Sequence, residues 1–500
     1  MTWNALLPLL IVLSSAVASI VIFALPEERE GTRTALNLFG AVLKLVLIGF
    51  MLFGVAAGEV YELRFTLLPG FDFLLSGTAL AMLFVTLSAV LWLVTTIYAV
   101  AYMAGAPNRS RFFGFFSLCV SATTGIALAG NPLTFLIFYE ALTLTTYPLV
   151  VYHGTKKALE AGRVYLAYTL TGGAVLLLAV IWLHVVAGPV DFLEGGQLWQ
   201  LDVSRFDLIS IFALFILGLG VKAAIVPFHS WLPIAMVAPA PVSALLHAVA
   251  VVKAGVFGIV RVVYDVFGIV FSATLGVMQP LAILSSITIL YGSLQALIQD
   301  DLKRRLAFST VSQLSYIILG VAIVGPTATI GGLAHLVHQG LMKVTLFFCA
   351  GNLALVHGIH KVSEMNGVGR RMPLTMGAFT VGALGMIGLP PLAGFVSKWY
   401  LGVGAVETGQ TWIVGVLVVS SLLNMGYFLP ILFRAWFLEP TSEVTTETGQ
   451  TGLEAHWMLL LPPLFTAALT VIVGLFAAMP FSVLEWAKLI TAREYIGGAP

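Results

Sequence analysis

Nine side chains that carry or exchange protons sit where the surrounding sequence is almost wholly apolar: Lys44, Lys222, Lys253, Lys343, Lys398, His247, His335, His338 and Glu140. A charged side chain at the centre of a bilayer costs roughly 2.5–3.5 kcal/mol on insertion scales, so ionisable groups inside spans are kept for a purpose. A carboxylate and an ammonium held together in low dielectric are coupled, and changing their separation changes which of them holds the proton. The chemistry on offer is therefore proton exchange. A carboxylate such as Glu140 also suits a hard cation such as Na+.

The spacing refines this. Glu140 lies in Phe138-Tyr139-Glu140-Ala141-Leu142, midway along an apolar run, and Lys222 is its expected partner. Lys222 precedes Pro227, whose missing N–H breaks the helix and opens a lined cavity in the membrane. His247 and Lys253 are six residues and about 9 Å of helix rise apart, which suits successive stations better than one site. His335 and His338 share a face. No third ligand stands near in sequence, so a hydrated proton relay through them and Lys343 is expected rather than a metal site. Gly331, Gly332 and Gly340 loosen that helix. Lys398 follows a second break at Pro390 and Pro391. Lys44 is read as nearer a span end, snorkelling to the interface. His357 and His360 are read as ordinary loop residues.

The elements that must position these groups are long apolar segments. Of 500 residues, 59 % are apolar and 9 % charged, too apolar for a soluble fold. Fourteen runs are long enough to span a bilayer: 5–25, 35–57, 73–103, 112–130, 132–153, 164–187, 208–226, 240–264, 275–298, 306–324, 327–356, 373–403, 411–437 and 456–480. The run 73–103 exceeds a bilayer's need and is expected to tilt or protrude. With no basic residue before it, 5–25 reads as a retained span rather than a cleaved leader. Alternate loops carry fourteen lysines and arginines against five, the poorer set being Arg64, Arg205, Arg261, Lys488 and Arg493. The positive-inside rule puts the rich loops in the cytoplasm and both termini outside. All five remaining basic residues are the lysines inside spans. The polar stretch 439–455 reads as a loop. A net charge of +1 gives no footprint for nucleic acid. Cys119 and Cys349 lie in apolar runs outside any ligand pattern, and no dinucleotide or P-loop motif occurs, so no cofactor is expected.

Four stretches carry a family resemblance: KAAIVPFHSWLPIAMVAPAPVSALLHAVAVVKAG from Lys222, DDLKRRLAFSTVSQLSYI at 300–317, HQGLMKVTLFFCAGN at 338–352 and GLPPLAGFVSKWYL at 388–401. They resemble the antiporter-like subunits shared by respiratory complex I, Mrp-type multisubunit Na+/H+ antiporters and membrane-bound hydrogenases. The resemblance covers roughly residues 70–435. It implies an all-α membrane protein of about fourteen helices: an N-terminal three-helix segment (1–110), two inverted five-helix repeats (111–264 and 270–437) with broken seventh and twelfth helices, and a loop with the last helix (438–500). It also implies that Glu140 and Lys222 pair, that His247 and Lys253 connect them to a central relay of His338 and Lys343, and that Lys398 is the exit lysine. The five-residue step from His338 to Lys343 is similar to the Mrp D-type subunit, and the surroundings of Glu140 are similar to hydrogenase-associated members. The chain ends soon after its fourteenth span, so the long lateral helix of the largest complex I pump subunit is not expected.

The expected function is thus a cation- and proton-translocating subunit that works with other membrane subunits in the plasma membrane, most simply a Na+/H+ antiporter. A proton pump within a dehydrogenase or hydrogenase is the alternative. An energising partner for inorganic-carbon uptake is a further one. A passive scaffold is disfavoured by five intramembrane lysines and two broken helices.

Overall fold

Twelve helices among the described residues are long and apolar enough to cross a membrane. The structure, a computed structural model, describes residues 2–440 and 454–496. Most of the expected 439–455 loop therefore lies outside the described residues. In chain order the main helices are α1 (Trp3–Phe23), α2 (Glu30–Ala56), α3 (Ala79–Tyr102), α4 (Arg109–Leu128), α5 (Pro132–Val150), α6 (Lys156–Ala187), α7 (Arg205–Lys222), α8 (Ala240–Phe267), α9 (Met278–Leu297), α10 (Leu302–Ala322), α11 (Pro326–His357), α12 (Pro373–Ile387), α13 (Ala393–Glu407), α14 (Trp412–Phe437), α15 (Trp457–Leu475) and α16 (Val483–Ile496), and the twelve are all of these but α7, α12, α13 and α16. The expected runs 208–226 and 373–403 are the interrupted ones, ending in α7 and divided between α12 and α13.

Local chemistry starts several of these helices. Asn131 accepts the Thr134 N–H at 2.8 Å and Pro132 opens α5. Thr155 and Asp301 cap α6 and α10 in the same way. Large apolar side chains such as Leu144, Val185, Leu422 and Phe437 point outward. A soluble protein would bury them, and lipid covers them in a multi-pass membrane protein. The most apolar 18-residue windows of α8 and α10 are buried completely, as befits helices at the centre of a bundle. Of the nine ionisable groups, α8 carries two and the neighbouring α11 three.

Two features depart from the sequence expectation. The long run 73–103 is not one helix. Its first residues form β2 (Phe71–Ser76), paired antiparallel with β1 (Glu62–Leu68), and α3 begins only at Ala79. Arg64 fastens this hairpin through Asp72 at 3.1 Å and Asp191 at 2.6 Å. The second departure is α16, a short helix after the last expected span. It packs against the end of the bundle where Trp486 Nε1 donates to the Ala79 carbonyl at 2.9 Å.

Candidate functional site

At each helix interruption a lysine donates to backbone carbonyl oxygen, to that of Tyr139 on α5 at the first and to the carbonyls of the interrupted helix's own end at the second. α7 ends at Lys222, five residues before Pro227, because Ala224 takes a left-handed conformation (φ +56°) and the Ile225 N–H turns back to Gly220 at 3.0 Å. Lys222 is therefore the last helical residue, not one turn before the break. The Lys222 ammonium donates to the Tyr139 carbonyl and lies 3.3 Å from the centre of the Tyr139 ring. At the second break α12 stops at Ile387, and Gly388 (φ +94°) caps it. Lys398, on α13, reaches back to the carbonyls of Met386 and Ile387, each at 2.9 Å, and to Ser421 Oγ at 3.3 Å. The end of a helix leaves its last carbonyls unpaired and carries partial negative charge, which suits an ammonium.

Close packing holds the first break in place. Gly255 of α8 lies directly on the Lys222–Ala223 backbone, leaving no room for a side chain. Trp231 Nε1 takes the Val221 carbonyl at 2.8 Å, and the Val226 N–H finds Thr288 Oγ1 at 3.2 Å. Gly394 packs in the same manner on the Gly385 carbonyl at the second break.

Glu140 stands on α5 next to Tyr139 and is half-buried. Its Oε1 is buried without a hydrogen-bond partner and faces Gly173 of α6. Among the described ion pairs none joins it to Lys222 directly. Lys222 instead donates to the carbonyl of the residue before it, so the two charges interact without touching.

Further along, the structure joins α8 to α11. Lys253 donates to the Leu336 carbonyl, which puts its ammonium beside His335 and His338. His335 is held at both ring nitrogens, by Ser397 Oγ at 2.8 Å and Gln313 Oε1 at 3.2 Å. His338 and His247 are fully buried with neither nitrogen bonded to a described group. His247 sits in a π-helical turn, Leu245–Val249, with its ring 4.5 Å from that of Phe347. Lys343 donates to Ser309 Oγ and, at 3.2 Å, to the Leu306 carbonyl of α10. The row is therefore crossed: Lys253 meets the histidines of α11, whereas His247 lies toward Lys343. Beyond it, Lys398 borders an apolar cleft of about 590 Å³ lined by Trp399, Val403, Leu417 and Ser421.

Two expectations about basic residues are overturned. Lys44 does not snorkel. It stands in the middle of α2, fully buried, donating to Ser15 Oγ at 2.8 Å and Thr124 Oγ1 at 2.7 Å. α2 begins at Glu30, earlier than the expected 35, so the residue is nearer the helix centre than its run suggested. Arg261 is no loop residue either. It is 1 % exposed inside α8 and paired with Asp265. The supporting groups Tyr139, Ser309, Gln313 and Ser397 were not singled out in the sequence, because isolated neutral polar residues in a span carry no spacing signal.

The description "NADH:quinone oxidoreductase/Mrp antiporter, TM" belongs to a family model that matches residues 129–424, more than half of the chain. The chain belongs to that family. It is 34 % identical over 402 residues to NADH-quinone oxidoreductase subunit N of Desulforudis audaxviator, covering 78 % of this chain and 80 % of that one. It is 30 % identical to the A/B subunit of a probable K(+)/H(+) antiporter of Rhizobium meliloti, spanning 98 % of this chain but 49 % of that protein. In fold it is similar to a chain of the Mrp complex from Dietzia sp. DQ12-45-1b, with a TM-score of 0.88, 24 % identity and coverage of 99 % and 98 %. The matched region of this antiporter-like membrane chain contains every residue of the ionisable row except Lys44.

Proposed function

We propose that the chain translocates protons or a monovalent cation as one subunit of a multisubunit membrane complex, a Na+/H+ antiporter in the first instance. The observation that carries this reading is the pair of helix breaks, each with one lysine bonded to backbone carbonyl oxygen, with the α8–α11 contact at Lys253 between them. In this reading Glu140, Lys222, Lys253, His247, His335, His338, Lys343 and Lys398 form the path. Carbonyl partners accept from an ammonium and from a neutral amine alike, so each lysine can lose its proton without stranding its neighbour. The crossed row makes the histidines of α11 the link between the two lysines at the helix ends. Residues 111–264 and 270–437 are then two repeats, supported by the matching construction of their breaks. The chain lies in the plasma membrane with its basic-rich loops in the cytoplasm, both termini outside, and other membrane subunits as partners. The step from His338 to Lys343 favours the Mrp D-type role.

Lys222→Ala and Glu140→Ala in the assembled complex, reconstituted into vesicles, test the path through ΔpH-linked transport. Both variants are expected to lose it, and wild-type transport by both would sink the relay. The second reading, a pump driven by electron transfer in a neighbouring subunit, is favoured by the similarity to a NADH-quinone oxidoreductase subunit. Co-purification of iron–sulfur or nickel–iron subunits with this chain separates the two.

A further inference from the structure

At the bundle end that carries few basic residues, two carboxyl groups meet beneath α16. Asp265 and Glu494 are each 2 % exposed, and their side chains lie close enough to interact. Asp265 also pairs with the buried guanidinium of Arg261, which donates to the Ala127 carbonyl at 3.2 Å and lies against the rings of Phe192 and Phe257. Glu494 Oε2 accepts the Gly195 N–H at 2.9 Å. Two ionised carboxylates have only acceptors to offer one another, so a bond between them requires a proton. One guanidinium offsets one negative charge, and the second carboxyl is neutral when it holds that proton.

Among the described residues the buried Nε of Arg261 has no hydrogen-bond partner. Tyr264 faces Asp265, Glu494, Tyr495 and Thr329. The Tyr495 hydroxyl lies 3.2 Å from Thr329 Oγ1. Thr329 belongs to α11, six residues and about 9 Å of helix from His335. The other charged groups around Glu494 are Glu194 and Arg493, which pair with each other at 3.6 Å, and Arg493 also donates to the Val55 carbonyl at 3.1 Å. Among the described ion pairs none gives Glu494 a cation of its own.

We propose that Asp265, Glu494 and Arg261 form a second proton-binding site, which holds one exchangeable proton between the two carboxyls and connects the basic-poor face to α11 through Tyr264, Tyr495 and Thr329. The connecting half of this inference rests on the proton-conduction reading. In the transfer the O–H bond at the carboxyl pair breaks as a hydroxyl oxygen gains that proton. The same hydroxyl releases its own proton onward, so one proton moves and no redox partner is needed. Burial, then the charge of Asp265, holds the Glu494 carboxyl well above the usual carboxylate range. Because the value is raised on folding, the docked α16 is most stable below the usual carboxylate range and loses that contribution progressively as pH rises from there through the folded value.

The experiment uses the assembled complex. Infrared titration is expected to show a neutral-carboxyl signal in the wild type that disappears in Glu494→Gln and in Asp265→Asn. The same signal in both variants would overturn the site. In vesicles, Glu494→Gln is expected to slow proton transport by about a hundredfold, the low end of what a positioned proton carrier contributes, and to flatten its alkaline limb. Glu494→Asp should restore part of both. An unchanged rate and pH profile in Glu494→Gln, with Lys222→Ala inactive beside it, would overturn the connection to α11. If Lys222→Ala also transports normally, the conduction reading itself fails and the connection falls with it, leaving the infrared titration to decide the site.

Discussion

The lysines of the row are bound by neutral oxygen rather than by carboxylates: Tyr139, Leu336, Leu306, Met386 and Ile387 through their carbonyls, and Ser309 and Ser421 through hydroxyls. A fixed carboxylate partner would favour one charge state strongly, whereas a carbonyl merely tolerates both. This predicts a division between stability and transport at Lys398. Lys398→Met removes the donor for two helix-end carbonyls and should destabilise the purified protein by about 1–3 kcal/mol in addition to abolishing transport. Lys44 is also bound by hydroxyls, but in the N-terminal helices outside the row. Lys44→Met is expected to lower the melting temperature in detergent, through the loss of its bonds to Ser15 and Thr124, and to leave ΔpH-linked transport in place. Transport lost with the fold intact would enrol Lys44 in the path. The identity of the buried lysines could be read in advance from their apolar surroundings. Their partners could not, since each partner is a backbone atom or a lone hydroxyl brought in from a distant helix.

The two interrupted helices were legible because proline announces them, yet the chain leaves α7 well before Pro227. What ends the helix is the cap at Ala224 and the crowding by Gly255, neither of which leaves a local mark. Gly255→Ala should therefore act on the break itself. A methyl group there meets the Lys222–Ala223 backbone, and the strain should cost about 1–3 kcal/mol and shift Lys222 off the Tyr139 carbonyl. A thermal melt with a transport assay reads both effects, and a variant that matches the wild type in each would show that the break is slack. Capping across the chain is a second such feature. Glu27, in the loop after α1, accepts the N–H groups of Arg109 at 2.9 Å and Ser110 at 3.0 Å, while Asn108 at the start of α4 gives no side-chain cap of its own. Glu27→Ala should cost about 1 kcal/mol, the usual worth of a helix cap, as measured by chemical denaturation. The hairpin escaped notice for a related reason: β2 runs almost directly into α3, so one apolar run hides two kinds of backbone. α16 escaped because a 14-residue helix carrying charges gives no span signal, and its anchor, Glu494, accepts from Gly195, 299 positions away.

At the scale of the molecule, the split of basic loops makes a prediction for orientation. A single cysteine placed at Arg111 should be labelled only from the cytoplasmic side, and one at Arg64 only from the other side. Opposite labelling would invert the bundle and move the Asp265–Glu494 pair to the inner face. The organisation of the core also becomes clear only here. Burial of α8 and α10 on all sides, with α11 beside them, is a property of the assembled bundle. Along the chain α8 and α10 are less apolar than α1 and α2, which face outward on one side, but that does not say which neighbours cover them. The crossing of the row, with Lys253 at the histidines and His247 toward Lys343, follows from that packing.

α8 contains π-helical turns at Leu245–Val249 and Val262–Phe267, on either side of Lys253. A π turn holds one more residue than an α turn needs, and it amounts to an insertion absorbed without breaking the helix. Removing one residue from Leu245–Val249 should therefore be tolerated as a return to α geometry. Removing one from the regular stretch 251–260 should swing every later side chain by about 100° and carry the Arg261–Asp265 pair away from Glu494 of α16. Deletion tolerance along α8 would then be patchy, and a scan of single-codon deletions scored for membrane assembly would map where this helix stores its spare length.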